Sequence, residues 1–159
     1  MKVALVMGSL SDLSKVESAI TLLKKFDVEV EVRCFSAHRT PKQLEEFVTN
    51  SKDIEVFIAA AGMAAALPGV IASLTVVPVI GLPISCSNLD GLDALLSMVQ
   101  MPSGIPVATV AINGAKNAAY LALQILANKY ETIKTKLIED RNENAKAVLK
   151  ANEEVSCKY

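Results

Sequence analysis

The chain has 159 residues, 52% of them hydrophobic and 21% charged, with no tryptophan; this suits one globular domain and excludes a disordered chain or a multidomain machine. Sixteen Lys and Arg against 17 Asp and Glu leave a formal charge of −1, so composition supplies no net attraction to nucleic acid or to an anionic membrane, and neither is expected as a partner. The longest apolar stretches break at Pro, Gly or polar residues before the ~20 residues a membrane span needs, and Met1 leads into Val3–Met7 without a basic n-region, which predicts a cytoplasmic protein. Cys34, Cys86 and Cys157 are odd in number and lack CxxC spacing; they read as free thiols in a reducing compartment, with no metal cluster.

In chain order, Lys2–Met7 is a short apolar run that stops at Gly8-Ser9, and Leu13, Val16, Ala19, Ile20 and Leu23 then recur at helical spacing. Ser9, Ser11 and Asp12 are all capping types, and the sequence alone does not choose among them. Val28–Phe35 alternates Val28, Val30 and Val32 with Glu29, Glu31 and Arg33, predicting a strand with one face toward water. Thr40-Pro41 opens a helix striped by Leu44, Phe47 and Val48. Further strands are predicted at Ile54–Ala61, Val76–Leu82 and Val107–Ile112, and further helices from Pro68 to about Leu74, over Gly91–Gln100 and over Lys116–Ala127. Strands alternating with helices need crossover connections. The predicted fold is therefore a three-layer αβα sandwich around a parallel sheet, flavodoxin-like or Rossmann-like, with an extra C-terminal helix.

Residues 1–130 form the expected catalytic domain. Residues 131–159 form a charged helix and tail, with Ile133, Leu137, Ala145, Val148 and Leu149 as a narrow apolar stripe, packed on the same domain or on a neighbouring subunit. Between Ile54 and Ala115 the only charged residues are Glu55, Asp90 and Asp93. So little charge poorly covers a solvated surface, and a homo-oligomer that buries this middle is predicted.

In an open parallel sheet, ligands bind beyond the carboxyl ends of the strands. Three loops qualify. Gly8-Ser9-Leu10-Ser11-Asp12 offers backbone amides and hydroxyls to an anion and a carboxylate to sugar hydroxyls, although helix capping accounts for the same residues. It lacks both the P-loop lysine and the later glycines of GxGxxG. Ser36-Ala37-His38-Arg39-Thr40-Pro41 holds the only histidine. Its imidazole can exchange protons near neutral pH, with a fixed cation beside it for a phosphate or carboxylate; a purely structural histidine is the competing reading. Ala61-Gly62-Met63-Ala64-Ala65-Ala66-Leu67-Pro68-Gly69 permits close backbone approach to a ligand, or equally a tight helix packed on the sheet.

At these loops the sequence resembles the PurE family of purine biosynthesis. The resemblance is carried by Met7-Gly-Ser-Leu-Ser-Asp12, Ser36-Ala-His-Arg-Thr-Pro41 and Ala64-Ala-Ala-Leu-Pro-Gly69. It continues through Gln100-Met-Pro-Ser-Gly-Ile-Pro106, Val110-Ala-Ile-Asn113 and Asn117-Ala-Ala119. It implies an isomerase that converts N5-carboxyaminoimidazole ribonucleotide to 4-carboxy-5-aminoimidazole ribonucleotide by decarboxylation and recarboxylation, with no metal or cofactor. Direct carboxylation of aminoimidazole ribonucleotide and a non-catalytic ribonucleotide-binding module are the alternatives. By the resemblance, His38 is the general acid/base, Ser9 contacts the migrating carboxylate, and Asp12 contacts the ribose hydroxyls. Ser11, Ser36 and Arg39 serve the phosphate region, and the amides near Gly62, Ala64 and Ala65 line the carboxylate pocket. The family also implies a homo-octamer in which the C-terminal helix reaches a neighbour. This chain departs from the family pattern at Ala66, where a histidine is usual, and at Met63, where glycine is frequent.

Overall fold

The computed structural model describes residues 1–86 and 89–159. Five strands, β1 (Lys2–Met7), β2 (Glu29–Cys34), β3 (Val56–Gly62), β4 (Val79–Ile84) and β5 (Ala108–Thr109), form one sheet in the order β2-β1-β3-β4-β5. Every pairing is parallel, with Val3 opposite both Val30 and Val56, and Ile58 opposite Ile80. The helices are α1 (Leu13–Lys25), α2 (Pro41–Asn50), α3 (Leu67–Leu74), α4 (Leu92–Val99), α5 (Ala115–Ala127) and α6 (Glu131–Ser156). The chain runs outward from β1 to β2 and then returns past β1 to β3. That reversal is the switch point at which loops diverge to opposite faces and leave a crevice.

The chain divides into two compact units, Met1–Ala122 and Leu123–Tyr159. In the first, the central strands are buried on both sides, as continuous apolar runs require: β3 is buried from Val56 to Ala61 and β4 throughout. Alternate residues Ala4, Val6, Phe57, Ala59 and Ala61 pack with Leu44 and Val48 of α2, Leu67 and Ile71 of α3, and Ala94 and Met98 of α4. The Phe47 ring stands edge-on to Phe57 at 6.4 Å and lies 5.5 Å from Phe35, which carries this core out beneath the second loop. By the two-residue period of a strand, Val3, Leu5 and Ile58 face the opposite layer, where α1 buries Val16, Ala19 and Leu23.

Helix α1 ends without glycine. Asp27 takes the left-handed conformation (φ 59°), its N–H reaches the Lys24 carbonyl and the Val28 N–H reaches Leu23, the paired bonds of a Schellman cap. β2, paired on one side only, buries none of its residues fully, so its alternation yields a partly wet edge rather than one dry and one wet face.

β2 and β3 shift by one or two residues at their ends, and the two strands that depart furthest from expectation, β4 and β5, do so at prolines. β4 begins at Val79 rather than Val76, because the Val77 N–H is taken by the Thr75 hydroxyl (3.1 Å) and Pro78 has no N–H to give. β5 is two residues long rather than the predicted Val107–Ile112. The Gly81 and Pro83 carbonyls accept from Val110 and Asn113 on that flank, and the N–H that Pro83 lacks would have pointed the same way, so the ladder stops.

In the second unit, α6 runs to Ser156, leaving a three-residue tail, and buries Ile133, Leu137 and Asp140. Asn144 donates to Asp140 at 3.1 Å. Beyond Asp140 the helix is exposed, including Ala145, Val148 and Leu149 of the predicted stripe. Among the described residues no helix is long and apolar enough to cross a membrane.

Candidate active site

The carboxyl ends of β1, β2, β3 and β4 converge on a cavity of about 500 Å³. All nine residues singled out in the sequence, His38, Ser9, Ser11, Asp12, Ser36, Arg39, Gly62, Ala64 and Ala65, line it. Its position follows from strand order, because the β1 and β3 loops flank the switch point and β2 brings the histidine loop in from the edge.

The first loop leaves β1 with the Gly8 N–H bonded to the Ala60 carbonyl (3.1 Å). A 3-10 turn, Leu10–Asp12, precedes α1, and Ser9 caps it: the Ser9 hydroxyl accepts from the Ser11 N–H (3.3 Å) and from the Ser11 hydroxyl (2.9 Å). The capping choice left open by the sequence therefore falls on Ser9. Asp12 starts α1 without capping it and is 8% exposed. Burial raises its carboxyl above the ordinary range, opposed by hydrogen bonds from Ser9 and Ser11 and by the Lys15 charge. A buried carboxylate lining such a cavity gains when a ligand's hydroxyls supply the hydrogen bonds that water no longer does.

The second loop is tied by its own side chains. The Thr40 hydroxyl accepts from the Ser36 N–H (2.9 Å) and donates to the Ser36 carbonyl (3.1 Å), while the Ser36 hydroxyl accepts from the Arg39 N–H (3.2 Å). Ser36 thus shapes the turn that presents His38 and Arg39, both exposed at the cavity. The Arg39 guanidinium donates to the Gly8 carbonyl at 3.1 Å, joining the first two loops. It uses one of five N–H donors and keeps its remaining donors for an anion.

The third loop lies between β3 and α3. Gly62 has no room for a side chain: a Cβ there would stand 2.5 Å from the Cys86 sulfur and 3.1 Å from the Ile84 carbonyl oxygen. Met63 has φ 56° and is 65% exposed. Ala65 donates its N–H to the Met63 carbonyl (2.9 Å), so that amide is already engaged within the loop, and Ala66 donates to Ala64 (2.8 Å). Helix α3 begins at Leu67 on the cavity wall with Pro68 in its first turn, placing the positive end of a helix beside the space.

Sequence reasoning gave no role to a fourth contributor beyond β4. Cys86 lines the cavity, and the preceding Ser85 is fixed from two sides. Lys15 of α1 donates to the Ser85 carbonyl, while Asn113 accepts from the Ser85 N–H (3.0 Å) and donates to its hydroxyl (2.8 Å). No local motif marks Cys86, Ser85 or Lys15, and Asn113 entered only within the resemblance; the order of the strands brings them together.

With this geometry in place, comparison with known proteins is decisive. The AIR carboxylase family model matches residues 2–147. The chain belongs to the AIR carboxylase family. Among curated AIR carboxylase relatives, the N5-carboxyaminoimidazole ribonucleotide mutase of Methanocaldococcus jannaschii is 59% identical over 153 residues, covering 96% of each chain. That of Pyrococcus abyssi is 56% identical over 144 residues, 89% of this chain and 83% of the relative. The crystal structure of Treponema denticola PurE superposes with a TM-score of 0.85 at 29% identity, covering 94% of both chains.

Proposed function

We propose that the chain is an N5-carboxyaminoimidazole ribonucleotide mutase of purine biosynthesis, with His38 as its general acid/base. The observation that carries the reading is that the single imidazole of the chain lines the same cavity as the Gly8-Ser9 turn, buried Asp12 and Arg39. Acid/base, sugar-binding and anion-binding groups then face one space, as a ribonucleotide with a labile carboxylate requires.

Arg39 pairs with the phosphate, together with the Ser11 and Ser36 hydroxyls, and Asp12 takes the ribose hydroxyls. Ser9, Gly62, Ala64 and Ala65 border the carboxylate, where the α3 terminus favours negative charge. Protonated His38 gives its proton to N5 as the N5–carboxyl bond breaks and its electron pair stays on nitrogen. Carbon dioxide is held beside the nucleophilic C4 of the aminoimidazole. C4 then bonds to it, and neutral His38 removes the C4 proton, returning to its starting state. One group performs both transfers because an imidazole nitrogen can give a proton and take it back. Containment substitutes for a second substrate-binding step. Ala66 stands at the cavity with a methyl group, so the proton transfers in this chain are assigned to His38 alone.

His38→Asn is expected to lower conversion of the carbamate isomer by about 10²–10⁴ while preserving ribonucleotide affinity. Full turnover in that variant removes His38 from the role.

The chain is further proposed to work as a homo-oligomer, octameric as the family resemblance implies, in a cytoplasmic compartment that suits its three free thiols. Leu92, Leu96 and Val99 form an apolar stripe along α4, each about half exposed, and Val148, Leu149 and Val155 on α6 are more exposed still. A second copy is the natural cover for such faces. Light scattering at working concentration tests this, and a monomer refutes it.

A further inference from the structure

We propose that Met63 is the mobile cap of the cavity, the side chain that keeps the released one-carbon fragment inside and so sets how much of it is recaptured; this rests on the mutase reading above. Two independent observations single out Met63. Its backbone is left-handed, φ 56°, a conformation that L side chains rarely adopt and that glycine takes without strain. Its side chain is 65% exposed although it lines the cavity, which places it at the rim. Apart from Met63, the described lining is small or polar save for Leu67, and Leu67 is 2% exposed and belongs to the core. Met63 is thus the one large apolar lining group free to swing. Strain held at a cavity rim, where glycine would relieve it, points to a use for the side chain.

The chemistry gives that use. When the N5–carboxyl bond breaks, the pair stays on N5 with the His38 proton, and neutral carbon dioxide is free to react at C4 or to diffuse away. In the first case C4 forms the new bond and its proton returns to His38. In the second, aminoimidazole ribonucleotide is left behind and water reprotonates His38. A group closing the rim must exclude water and give no proton to C4. Methionine, unbranched, apolar and with three rotatable side-chain bonds, meets both conditions and adapts its shape to the ligand.

The test is a single turnover of carbamate isomer labelled in its carboxyl carbon, in open buffer with a carbon dioxide trap. Met63→Gly is expected to lose several-fold more label to the trap than wild type, with an equal or higher Tm as the strain is relieved. Met63→Leu should retain label as wild type does. Retention in Met63→Gly equal to wild type overturns the proposal, and so does dissociation of the assembly, which would assign Met63 to a subunit contact. If Met63→Gly does not fold, Met63→Ala decides on the same criterion. Should wild type convert no carbamate, the mutase reading fails. The cap is then judged by the Met63 methyl resonance on adding aminoimidazole ribonucleotide, identified by its loss in Met63→Leu: a shift supports the cap and an unmoved resonance overturns it.

Discussion

Substituting alanine for Gly62 tests the packing of the cavity floor. The added Cβ would lie 2.5 Å from the Cys86 sulfur and 3.1 Å from the Ile84 carbonyl oxygen, against a comfortable carbon separation of about 3.5–4.0 Å. The carbonyl cannot retreat, because Ile84 is fully buried and paired with Gly62 in the β3–β4 ladder. Cys86 lies past the end of β4 and is only partly buried, so the displacement falls on its side chain. Overpacking of this kind costs roughly 1–3 kcal/mol. For a chain of this length that lowers Tm by roughly 2–4 °C per kcal/mol. Cys86→Ala alone removes one partly exposed atom and should cost under about 1 kcal/mol. In the double variant the sulfur is gone, and most of the Gly62→Ala penalty should return, a coupling of about 1 kcal/mol or more. Thermal melts of the four proteins at one fixed concentration measure it, since association also moves Tm. Strict additivity of the two substitutions would refute the steric reasoning.

Arg39→Ala removes the proposed phosphate partner and the tie to the Gly8 carbonyl together. Ribonucleotide Kd measured calorimetrically should rise about ten- to a hundred-fold, as loss of a charged hydrogen bond worth ~1.5–3 kcal/mol predicts. Asp12→Asn should stabilise the ligand-free protein at neutral pH while weakening ribonucleotide binding. With its carboxyl raised by burial, folded Asp12 holds a proton that the unfolded chain releases. Its contribution therefore falls as pH rises through that window and is lowest above it. Denaturant melts should show the gain from asparagine shrinking as pH falls to about 4; a gain independent of pH contradicts the burial account.

Much of the fold was legible because its signals are local. β1 matched residue for residue, since a continuous apolar run ending in Gly-Ser has no competing reading, and Pro41 placed the start of α2 correctly. The gathering of all three loops at one cavity was equally legible, because a parallel sheet sends successive βα loops to the same end. The misses in β4 and β5 share a cause in pairing. Pro78 and Pro83 were visible, but their effect depends on which flank of β4 each missing N–H would have faced, and only the neighbouring strand decides that. The left-handed Asp27 cap carried no glycine to announce it. Lys15 reaches the Ser85 carbonyl, and Cys86 reaches Gly62, only because the sheet carries the end of β4 beside β3.

β2 sits at the margin of the sheet, held by a single neighbour, whereas β1, β3 and β4 are each flanked on both sides. The loop carrying His38, the proposed proton donor, hangs from this edge strand, and the proposed carboxylate basin rests on strands paired on both sides. Local opening at such a margin needs less free energy than global unfolding. On warming, this chain should lose the alignment of its imidazole while the basin still stands, so that catalytic failure comes before the melt.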